Sequence, residues 1–402
     1  MQRCYRELQK LLALGFHTRI RHAEMLQVGT MKTFVLQWPR TMICSNVLAK
    51  PVKMEFFFSH FQRTVVVSAL LFGFSFPNQT VAAQTQAIVS ATSPGPATQP
   101  LTFGSRQVRA HDPSAIVKCK DEYWIFYTGR GIPSYRSKDL VKWEAGPGVF
   151  TNAPAWVAQA VPANRWLYYW APDVIHLGNR YLLYYSVSSF GTNQSAIGLA
   201  INPTLDPGDP QFHWSDQGIV VQSTNTDNYN TIDPAVSQDA DGNLWLAFGS
   251  FWGGIKLIQL DPATGKRMAA NSLLYSLAFN EAIEASYIYR HDGFYYLFVN
   301  WGRCCRGTNS TYEVRVGRSQ KITGPYLDKD GMDLMAGGGS LFLATDGSFI
   351  GPGQVAIFSE NGTNWLSCHF YDGTRSGMPT LAILPLRWEA YGWPEVKIPP
   401  VK

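Results

Sequence analysis

The sequence predicts an all-β protein built as a five-bladed β-propeller, and three observations support this fold class. Its 402 residues include 35 Gly and 24 Pro, which suits a chain of short strands and turns better than a helical one. Short β-branched and aromatic runs recur along residues 104–398, and no stretch has a long helical period. Acidic residues also recur at a regular interval, which indicates a ring of repeated sheets.

The repeat is marked by one acid at the start of each apolar strand. The four acids are Asp112, Asp173, Asp233 and Glu284, spaced by 61, 60 and 51 residues. A β-sandwich is the competing fold, but it gives no reason for this spacing. In a propeller, the innermost strands of all blades start at the same end of the central channel. The fold therefore predicts that these acids converge on one pocket.

Each unit contains several short strands separated by turn residues. The predicted strands are 123–127 and 137–143, then 181–187, 196–200 and 212–215, then 244–248 and 255–260, then 294–299 and 312–317, and finally 364–370 and 381–386. Residues 239–243 (DADGN) are superficially similar to a calcium loop, but the remaining ligand spacing and the closing Glu are missing. We predict a hairpin turn there, because Asp-Gly favours the positive φ that such a turn requires.

The N-terminal region differs from the rest of the chain in composition. Residues 1–53 form an N-terminal extension with no strand alternation and no site motif. Residues 54–83 have the layout of a signal peptide, with flanking basic residues, an apolar run over 64–76 and the small-residue pattern Val81-Ala82-Ala83. The alternative is a membrane anchor, although the apolar run is shorter than the roughly 20 residues of a membrane span. Residues 84–103 are predicted to be a flexible leader, and Met1 and Met54 are both candidate starts.

Charge and cysteine content exclude several function classes. Residues 1–53 carry a net +7 against +5 for the whole chain, so the remainder carries −2 and lacks the basic stripe of a nucleic-acid-binding protein. We expect no nucleic-acid or stable membrane partner, a monomer, and a secreted or periplasmic location. None of the six cysteines forms a CxxC pair, which argues against a zinc site. Adjacent Cys304 and Cys305 are expected to be buried thiols, with a vicinal disulfide as the alternative in an oxidising compartment.

Converging carboxylates with few cations among them suit glycoside hydrolysis. One carboxylic acid protonates the leaving oxygen, and a second carboxylate activates water or attacks directly. A third carboxylate nearby raises the pKa of the acid by charge repulsion. Four aromatic residues would offer apolar faces to sugar rings if they lie at the rim, and the alternative for each is a place in the propeller core. They are Trp170, Phe251, Trp252 and Tyr287.

Residues 104–398 resemble family 43 glycoside hydrolases and, within them, the endo-1,5-α-L-arabinanases. The resemblance is carried by His111-Asp112-Pro113-Ser114, by Trp170-Ala171-Pro172-Asp173, by Ile232-Asp233-Pro234 with Gly249-Ser250-Phe251-Trp252, by Glu284-Ala285-Ser286-Tyr287, by Arg303-Cys304-Cys305 with Asn309-Ser310-Thr311-Tyr312, by Gly351-Pro352-Gly353, and by His369-Phe370-Tyr371-Asp372. Two positions depart from the family pattern. Gln354 stands where many relatives have His, and Ser286 stands where many have Pro.

The resemblance implies a five-bladed propeller and an inverting mechanism that cleaves internal linkages of plant cell-wall arabinan. Asp112 would be the general base, Glu284 the general acid, and Asp233 the residue that tunes the pKa of the acid. Asp173 is interpreted as structural or substrate-facing. The implied substrate-binding residues are Asp112, Gly191, Asn230, Thr231, Ile232, Asp233, Ser250, Phe251 and Trp252.

The resemblance also implies a calcium ion in the central channel, held by His369 mostly through water. An isolated histidine in an aromatic strand is by itself more typical of a protein core, and calcium prefers oxygen ligands. Two alternatives to an endo-arabinanase stay open. One is an exo-acting α-L-arabinofuranosidase or β-xylosidase, and the other is a propeller lectin that binds sugar without cleaving it.

Overall fold

The computed structural model describes residues 108–269 and 272–399. The predicted N-terminal extension (1–53), signal peptide (54–83) and leader (84–103) lie outside these residues. The described chain forms five small antiparallel sheets arranged as a five-bladed β-propeller, as the sequence predicts. Among the described residues, no helix combines the length and apolarity that crossing a membrane requires.

Each blade corresponds to one repeat unit. The first blade contains β1 (Val117–Cys119), β2 (Glu122–Phe126), β4 (Ser134–Ser137) and β5 (Glu144–Gly146), and the second contains β3 (Gly129–Arg130), β6 (Tyr168–Leu177), β7 (Arg180–Val187), β8 (Ser195–Asn202) and β9 (Ser215–Ser223). The third contains β10 (Ala235–Gln238), β11 (Leu244–Phe248), β12 (Ile255–Leu260) and β13 (Tyr275–Ala278). The fourth contains β14 (Ile283–His291), β15 (Phe294–Trp301), β16 (Glu313–Ser319) and β17 (Ser340–Leu343). The fifth contains β18 (Phe349–Glu360), β19 (Thr363–Asp372), β20 (Met378–Trp388) and β21 (Pro394–Val396).

Helical structure in the described region is limited to short pieces between strands. They are α1 (Val157–Ala160) and three 3-10 turns at Gly307–Asn309, Leu334–Ala336 and Gly373–Arg375. Two predicted strands, 137–143 and 212–215, lie almost entirely outside the observed strands. β4 ends at Ser137 because the Asp139 carboxylate accepts the backbone N–H groups of Val141 and Lys142 and closes a turn. The strand predicted at 212–215 begins only at Ser215, and a turn precedes it.

The apolar core of the described region lies between the blades. Five clusters of buried side chains each join two neighbouring blades. Successive side chains of a strand point to opposite faces, so one strand feeds two clusters. In β7, Leu183 and Tyr185 pack towards the first blade, whereas Leu182 and Tyr184 pack towards the third. The alternation explains why the middle of β7 is apolar on both faces.

The ring closes where the first described residues meet the last blade. The N–H of Leu381 in β20 donates to the carbonyl of Val108 at 3.0 Å, and Arg109 bridges to Thr380. Ile125 of β2 and Ile383 of β20 share one buried cluster. The first and fifth blades are therefore joined by backbone hydrogen bonds as well as by packing.

Each blade has a residue with left-handed backbone in or shortly before its innermost strand, at the same end of the channel. These residues are Asp112, Ala171, Asp233, Ala285 and Gln354, with φ of 49°, 38°, 57°, 53° and 51°. Positive φ is uncommon outside glycine and often marks functional positions. The repeat aligns Asp112 and Asp233 with Ala171, so Asp173 lies two residues further along its strand. Asp173 therefore does not occupy the position of the other two aspartates.

The segment 239–243 is a hairpin turn, as predicted. The N–H of Asp239 donates to the carbonyl of Asn243 at 3.0 Å, and Gly242 has a φ of 84°. The Asp239 carboxylate accepts hydrogen bonds from the backbone N–H groups of Asp241 and Asn243 and from the Trp245 ring. Its oxygens are therefore engaged by the turn itself.

Candidate active site

A cavity of about 1280 Å³ opens at the end of the channel where the innermost strands begin. All five blades contribute to its wall. Asp112, Asp233 and Glu284 line this cavity together, so the structure brings the three predicted carboxylates into one space.

Asp112 precedes β1 and has left-handed backbone, and its carboxylate accepts hydrogen bonds from two side chains. Its Oδ2 lies 2.7 Å from Nδ1 of His111 and accepts the hydroxyl hydrogen of Thr128 at 2.6 Å. Burial opposes ionisation, but His111 and these hydrogen bonds outweigh it and lower the pKa of Asp112 to about 2. Asp112 is thus an ionised carboxylate at neutral pH.

Glu284 lies near the start of β14 and is almost completely buried. Ser250 donates its hydroxyl hydrogen to Oε2 at 2.7 Å, and Tyr312 donates to Oε1. Burial raises the pKa of Glu284, and the Asp112 charge raises it further against the effect of the two hydroxyl groups. Asp112 and Glu284 therefore have pKa values pushed in opposite directions, as an acid and base pair requires.

Asp233 connects the third blade to the acid. Its Oδ2 accepts the backbone N–H of Ala285 at 3.0 Å, and its own N–H donates to the Ser186 hydroxyl at 2.9 Å. Burial raises the pKa of Asp233, and repulsion from Glu284 and Asp112 raises it further. Because two buried carboxylates that repel each other resist double ionisation, Asp233 and Glu284 together retain a proton to higher pH than either acid would alone.

Asp173 has a structural position outside the cavity. One carboxylate oxygen accepts the N–H of Ala115 in the first blade at 3.0 Å, and the other accepts the N–H of Val236 in the third blade at 2.8 Å. Burial raises its pKa to about 6, although these N–H donors favour the charged form. Asp173 was interpreted as either structural or substrate-facing. These contacts agree with the structural interpretation, because the carboxylate connects its own blade to the first and third blades.

A turn after β11 presents two aromatic residues to the cavity. Phe251 and Trp252 both have left-handed backbone, with φ of 52° and 36°, and Trp252 keeps 43% of its surface exposed. The Lys256 ammonium, itself buried, donates to the Gly253 carbonyl at 2.7 Å and to the Ser276 hydroxyl at 2.9 Å. The turn therefore has a buried support that fixes where the aromatic rings lie.

Most of the predicted substrate-binding residues line the cavity. Gly191, Asn230, Ile232, Ser250, Phe251 and Trp252 all do so, together with Asp112 and Asp233. Oδ1 of Asn230 is buried and has no partner among the described residues, which leaves an acceptor for a sugar hydroxyl. Thr231 was expected to bind substrate, but it does not line the cavity. It is fully buried, and its hydroxyl donates to the Ser195 carbonyl at 2.7 Å, on the side of the segment away from the cavity.

The rim contains further residues that sequence reasoning missed. Phe190 is 82% exposed and packs on Trp170 with ring centroids 4.9 Å apart, and both line the cavity. Arg303 lies over the ring of Phe251, 5.9 Å from its centroid. Tyr287 was expected at the rim but packs between the fourth and fifth blades, where its hydroxyl donates to the Ile357 carbonyl. A bulge in β14 between Glu284 and Tyr287 interrupts side-chain alternation there, so the sequence pattern alone does not reveal this position.

Cys304 and Cys305 form a vicinal disulfide at the edge of the cavity, so the expectation of two buried thiols is wrong. Cys304 is half-buried and Cys305 is exposed. The free cysteines of the described region, Cys119 and Cys368, are the buried ones.

His369 lies beneath the cavity and is completely buried. Nδ1 accepts the backbone N–H of Asp112 at 3.1 Å, so Nε2 carries the ring hydrogen, and it has no partner among the described residues. Burial, with repulsion from His111, lowers the pKa of His369 to about 3 and keeps the ring neutral. Possible ligand atoms of His111, Asp112 and His369 lie within 4.8 Å of one another. Both nitrogens of His111, Oδ2 of Asp112 and Nδ1 of His369 are already hydrogen-bonded. Oδ1 of Asp112 and Nε2–H of His369 are left, so these residues fit a hydrated cation whose water meets Nε2–H.

Comparison with known proteins agrees with this site. Residues 106–394 match the glycosyl hydrolases family 43. The chain is 40% identical over 309 residues to an extracellular exo-α-(1→5)-L-arabinofuranosidase of Cellvibrio japonicus, covering 74% of this chain and 88% of the relative. It is 41% identical over 311 residues to an extracellular endo-α-(1→5)-L-arabinanase of Bacillus subtilis, covering 75% and 92%.

Solved structures give the same result. The α-L-arabinanase of Cellvibrio cellulosa in complex with arabinohexaose is 39% identical, with a TM-score of 0.69 over 73% of this chain and 96% of that chain. A native arabinanase of Bacillus subtilis is 42% identical, with a TM-score of 0.66 over 73% and 99%. The chain therefore belongs to glycosyl hydrolases family 43 and is a glycoside hydrolase.

Proposed function

We propose that this protein is an endo-1,5-α-L-arabinanase that cleaves internal α-1,5-arabinofuranosidic linkages of arabinan with inversion of configuration. The observation that carries the proposal is the opposite tuning of two carboxyl groups in one cavity. The pKa of Asp112 is lowered to about 2, whereas the pKa of Glu284 is raised. One group is prepared to accept a proton and the other to supply one.

The reaction uses both groups in a single displacement. Glu284 gives its proton to the glycosidic oxygen as the bond from that oxygen to the anomeric carbon breaks. A water molecule forms the new bond to the anomeric carbon from the opposite face and loses a proton to Asp112. Asp233 and Glu284 repel each other when both are ionised, which keeps a proton on the pair before the reaction. The hydrogen bond from the Ala285 N–H to Asp233 orients the segment that carries Glu284.

Inversion needs room for water between the two carboxyl groups, which are about 6.5–9.5 Å apart in inverting enzymes and closer in retaining ones. Proton NMR of the first sugar released tests this part of the proposal. An inverting enzyme acting on α-linked arabinan releases a β-configured reducing end before mutarotation. An α-configured first product would reject inversion.

An arabinan chain suits the shape and surface of the cavity. Its volume of about 1280 Å³ exceeds the roughly 300–1,000 Å³ of a typical small-molecule pocket. Phe190 and Trp252 offer exposed rings for stacking, and Asn230 offers an unpaired carbonyl. The names of the relatives, α-L-arabinanases and an exo-arabinofuranosidase, support the same substrate class.

One relative is named for exo action and another, of similar identity, for endo action. An exo-acting arabinofuranosidase is therefore the second candidate function, and the cleavage pattern distinguishes the two. We propose endo action because the cavity is large and is rimmed by separate aromatic groups. Early products from debranched arabinan should be a mixture of oligosaccharides of many lengths. Release of one short product from the start would favour the exo-acting arabinofuranosidase, and xylose release from xylan would favour a β-xylosidase. Binding without any cleavage would favour a lectin.

We also propose a hydrated calcium ion beside His369. His369 would hold its water shell through Nε2–H, and Asp112 would supply the nearest carboxylate. When bound, the ion would add positive charge beneath the pocket. The proton transfers are carried by Asp112 and Glu284 themselves.

We further propose that the enzyme is exported through residues 54–83 and acts as a monomer. The apolar run over 64–76 and the pattern Val81-Ala82-Ala83 support export, as do relatives that are named extracellular. N-terminal sequencing of the protein recovered outside the cytoplasm should begin at Gln84. Retention of the apolar run in that protein would reject cleavage and favour an anchor.

A further inference from the structure

The disulfide at Cys304 and Cys305 belongs to a loop that is tightly closed on itself. This loop connects β15 to β16 and borders the cavity. The N–H of Thr311 donates to the Arg303 carbonyl at 3.0 Å, and the N–H of Arg306 donates to the Ser310 hydroxyl at 3.0 Å. The loop therefore holds Cys305 at a fixed place on the wall of the cavity.

A chain of hydrogen bonds runs from this loop to the proposed general base. The backbone N–H of Cys305 donates to the Tyr371 hydroxyl oxygen at 2.7 Å. The Tyr371 hydroxyl and Nε2 of His111 form a hydrogen bond of 2.8 Å. Nδ1–H of His111 then donates to Oδ2 of Asp112 at 2.7 Å. Three hydrogen bonds thus connect the fourth, fifth and first blades in sequence.

His111 is the central member of this chain and is restrained on several sides. Its ring stacks on the ring of His369 with centroids 4.2 Å apart. Cys305 Sγ lies 3.8 Å from Nε2 of His111, so the sulfur contacts the same ring edge as Tyr371. Packing and hydrogen bonding both fix the ring plane, and the ring plane fixes one oxygen of Asp112.

We propose that the Cys304–Cys305 disulfide, Tyr371 and His111 act together as positioning residues for the Asp112 carboxylate. The inference rests on the proposed role of Asp112 as general base. A bond between adjacent cysteines closes a small ring that includes their peptide group, so it removes rotation there and keeps the Cys305 N–H aimed at Tyr371. Loss of the disulfide loosens the first link of the chain and lets the carboxylate turn away from the attacking water.

The disulfide also makes this arrangement sensitive to a dithiol reductant. The reductant's thiolate attacks one sulfur, forms a mixed disulfide and releases one cysteine thiol. Its second thiol then displaces the other cysteine and leaves as a cyclic disulfide. The exposed position of Cys305 gives a reductant access to this bond, whereas Cys119 and Cys368 are buried thiols and have no bond to lose.

The test compares the intact enzyme, the same enzyme reduced with dithiothreitol, and the double variant Cys304→Ser/Cys305→Ser, with thiol alkylation and mass spectrometry to confirm reduction. We expect kcat to fall about tenfold or more with KM changed less than about twofold, since a misplacement of about 1 Å costs on the order of 10²-fold. The double variant should not respond to dithiothreitol. The reduced native enzyme folds before its disulfide is removed, so it still tests the proposal if the double variant folds poorly.

Two further variants test the intermediate links. Tyr371→Phe removes the hydroxyl that joins Cys305 to His111 and should also lower kcat with little change in KM. His111→Asn keeps a donor near the Nδ1 position and should recover much of the activity that His111→Ala loses. The matched control is Tyr181→Phe, whose hydroxyl donates to the Lys118 carbonyl away from the cavity and whose loss should leave kcat unchanged.

The inference is overturned if the reduced enzyme and the double variant keep the kcat of the intact enzyme, or if the loss appears only in KM. These results are separate from failure of the proposed function. An Asp112→Asn variant with full activity would reject the general base itself, whatever the disulfide does. An inactive Asp112→Asn variant beside a fully active reduced enzyme would reject the positioning role alone.

Discussion

Asp233 and Ala285 are joined by a hydrogen bond of 3.0 Å between a carboxylate oxygen and a backbone N–H, and Ala285 is the neighbour of Glu284 in sequence. The contact crosses from the third blade to the fourth and ends at a residue with left-handed backbone, φ 53°. It therefore places the charge of Asp233 beside the acid and steadies the bend in β14 that turns Glu284 into the cavity.

The first prediction concerns the pH dependence of Asp233→Asn. In the native enzyme, loss of the proton retained by Asp233 and Glu284 creates two adjacent buried negative charges, so this proton is held to high pH. In the variant, Glu284 ionises alone and its pKa falls. The alkaline limb of the profile of kcat/KM against pH should move to lower pH by about one unit. An unchanged or higher alkaline limb would contradict the tuning role.

A second prediction concerns the tie that Asp173 makes between three blades. Asp173→Asn leaves one carbonyl oxygen for two N–H donors, those of Ala115 and Val236. We expect the free energy of unfolding at pH 7 to fall by about 1–3 kcal/mol, because one buried donor loses its acceptor. Chemical denaturation measures this. The control is Asp121→Asn at an exposed ion pair with Lys138, which should change stability by less than about 1 kcal/mol.

A third prediction concerns the buried lysine under the aromatic turn. Lys256→Met removes the donor to the Gly253 carbonyl and frees the turn that carries Trp252. We expect KM for arabino-oligosaccharides to rise about fivefold with kcat almost unchanged, since about 1 kcal/mol of binding is lost. Lys266→Met is the matched control. Its half-buried ammonium donates to two carbonyls distant from the cavity, so its loss should not affect KM.

A fourth prediction addresses the proposed ion at His369. Because a ligand that binds only the folded state raises stability, calcium at about 100 times its Kd should add about 2.7 kcal/mol. Thermal unfolding after chelation and after calcium replacement should show this difference in the native protein. His369→Gln should abolish the response. A variant that still gains the same Tm with calcium would show that the ion binds elsewhere.

The parts of the fold and site that could be predicted from sequence are those set by neighbouring residues in the chain. Turn residues and strand-forming runs predicted the five repeated units, and the acids at the start of these units led to Asp112, Asp233 and Glu284. Strands 244–248 and 255–260 coincide with β11 and β12, because both are rich in apolar residues and bounded by turns. These features depend on residues adjacent in sequence.

What sequence reasoning missed depends on register and on contacts between distant segments. Asp173 looks equivalent to Asp112 by spacing, but the left-handed residue in its strand is Ala171, so its carboxylate points to backbone N–H groups. Thr231 faces away from the cavity because neighbours in an extended segment point to opposite sides. The contact between Tyr371 and His111 spans 260 residues, and no local pattern reports it.

The most direct test of the central claim is a comparison of Asp112→Asn and Glu284→Gln on two substrates, linear arabinan and an aryl arabinofuranoside whose leaving group needs no protonation. Both variants should lose about 10²–10⁴-fold in kcat on arabinan. On the aryl substrate, Glu284→Gln should recover most of its activity while Asp112→Asn stays inactive. Recovery of Asp112→Asn, or failure of Glu284→Gln to recover, would contradict the assignment of base and acid.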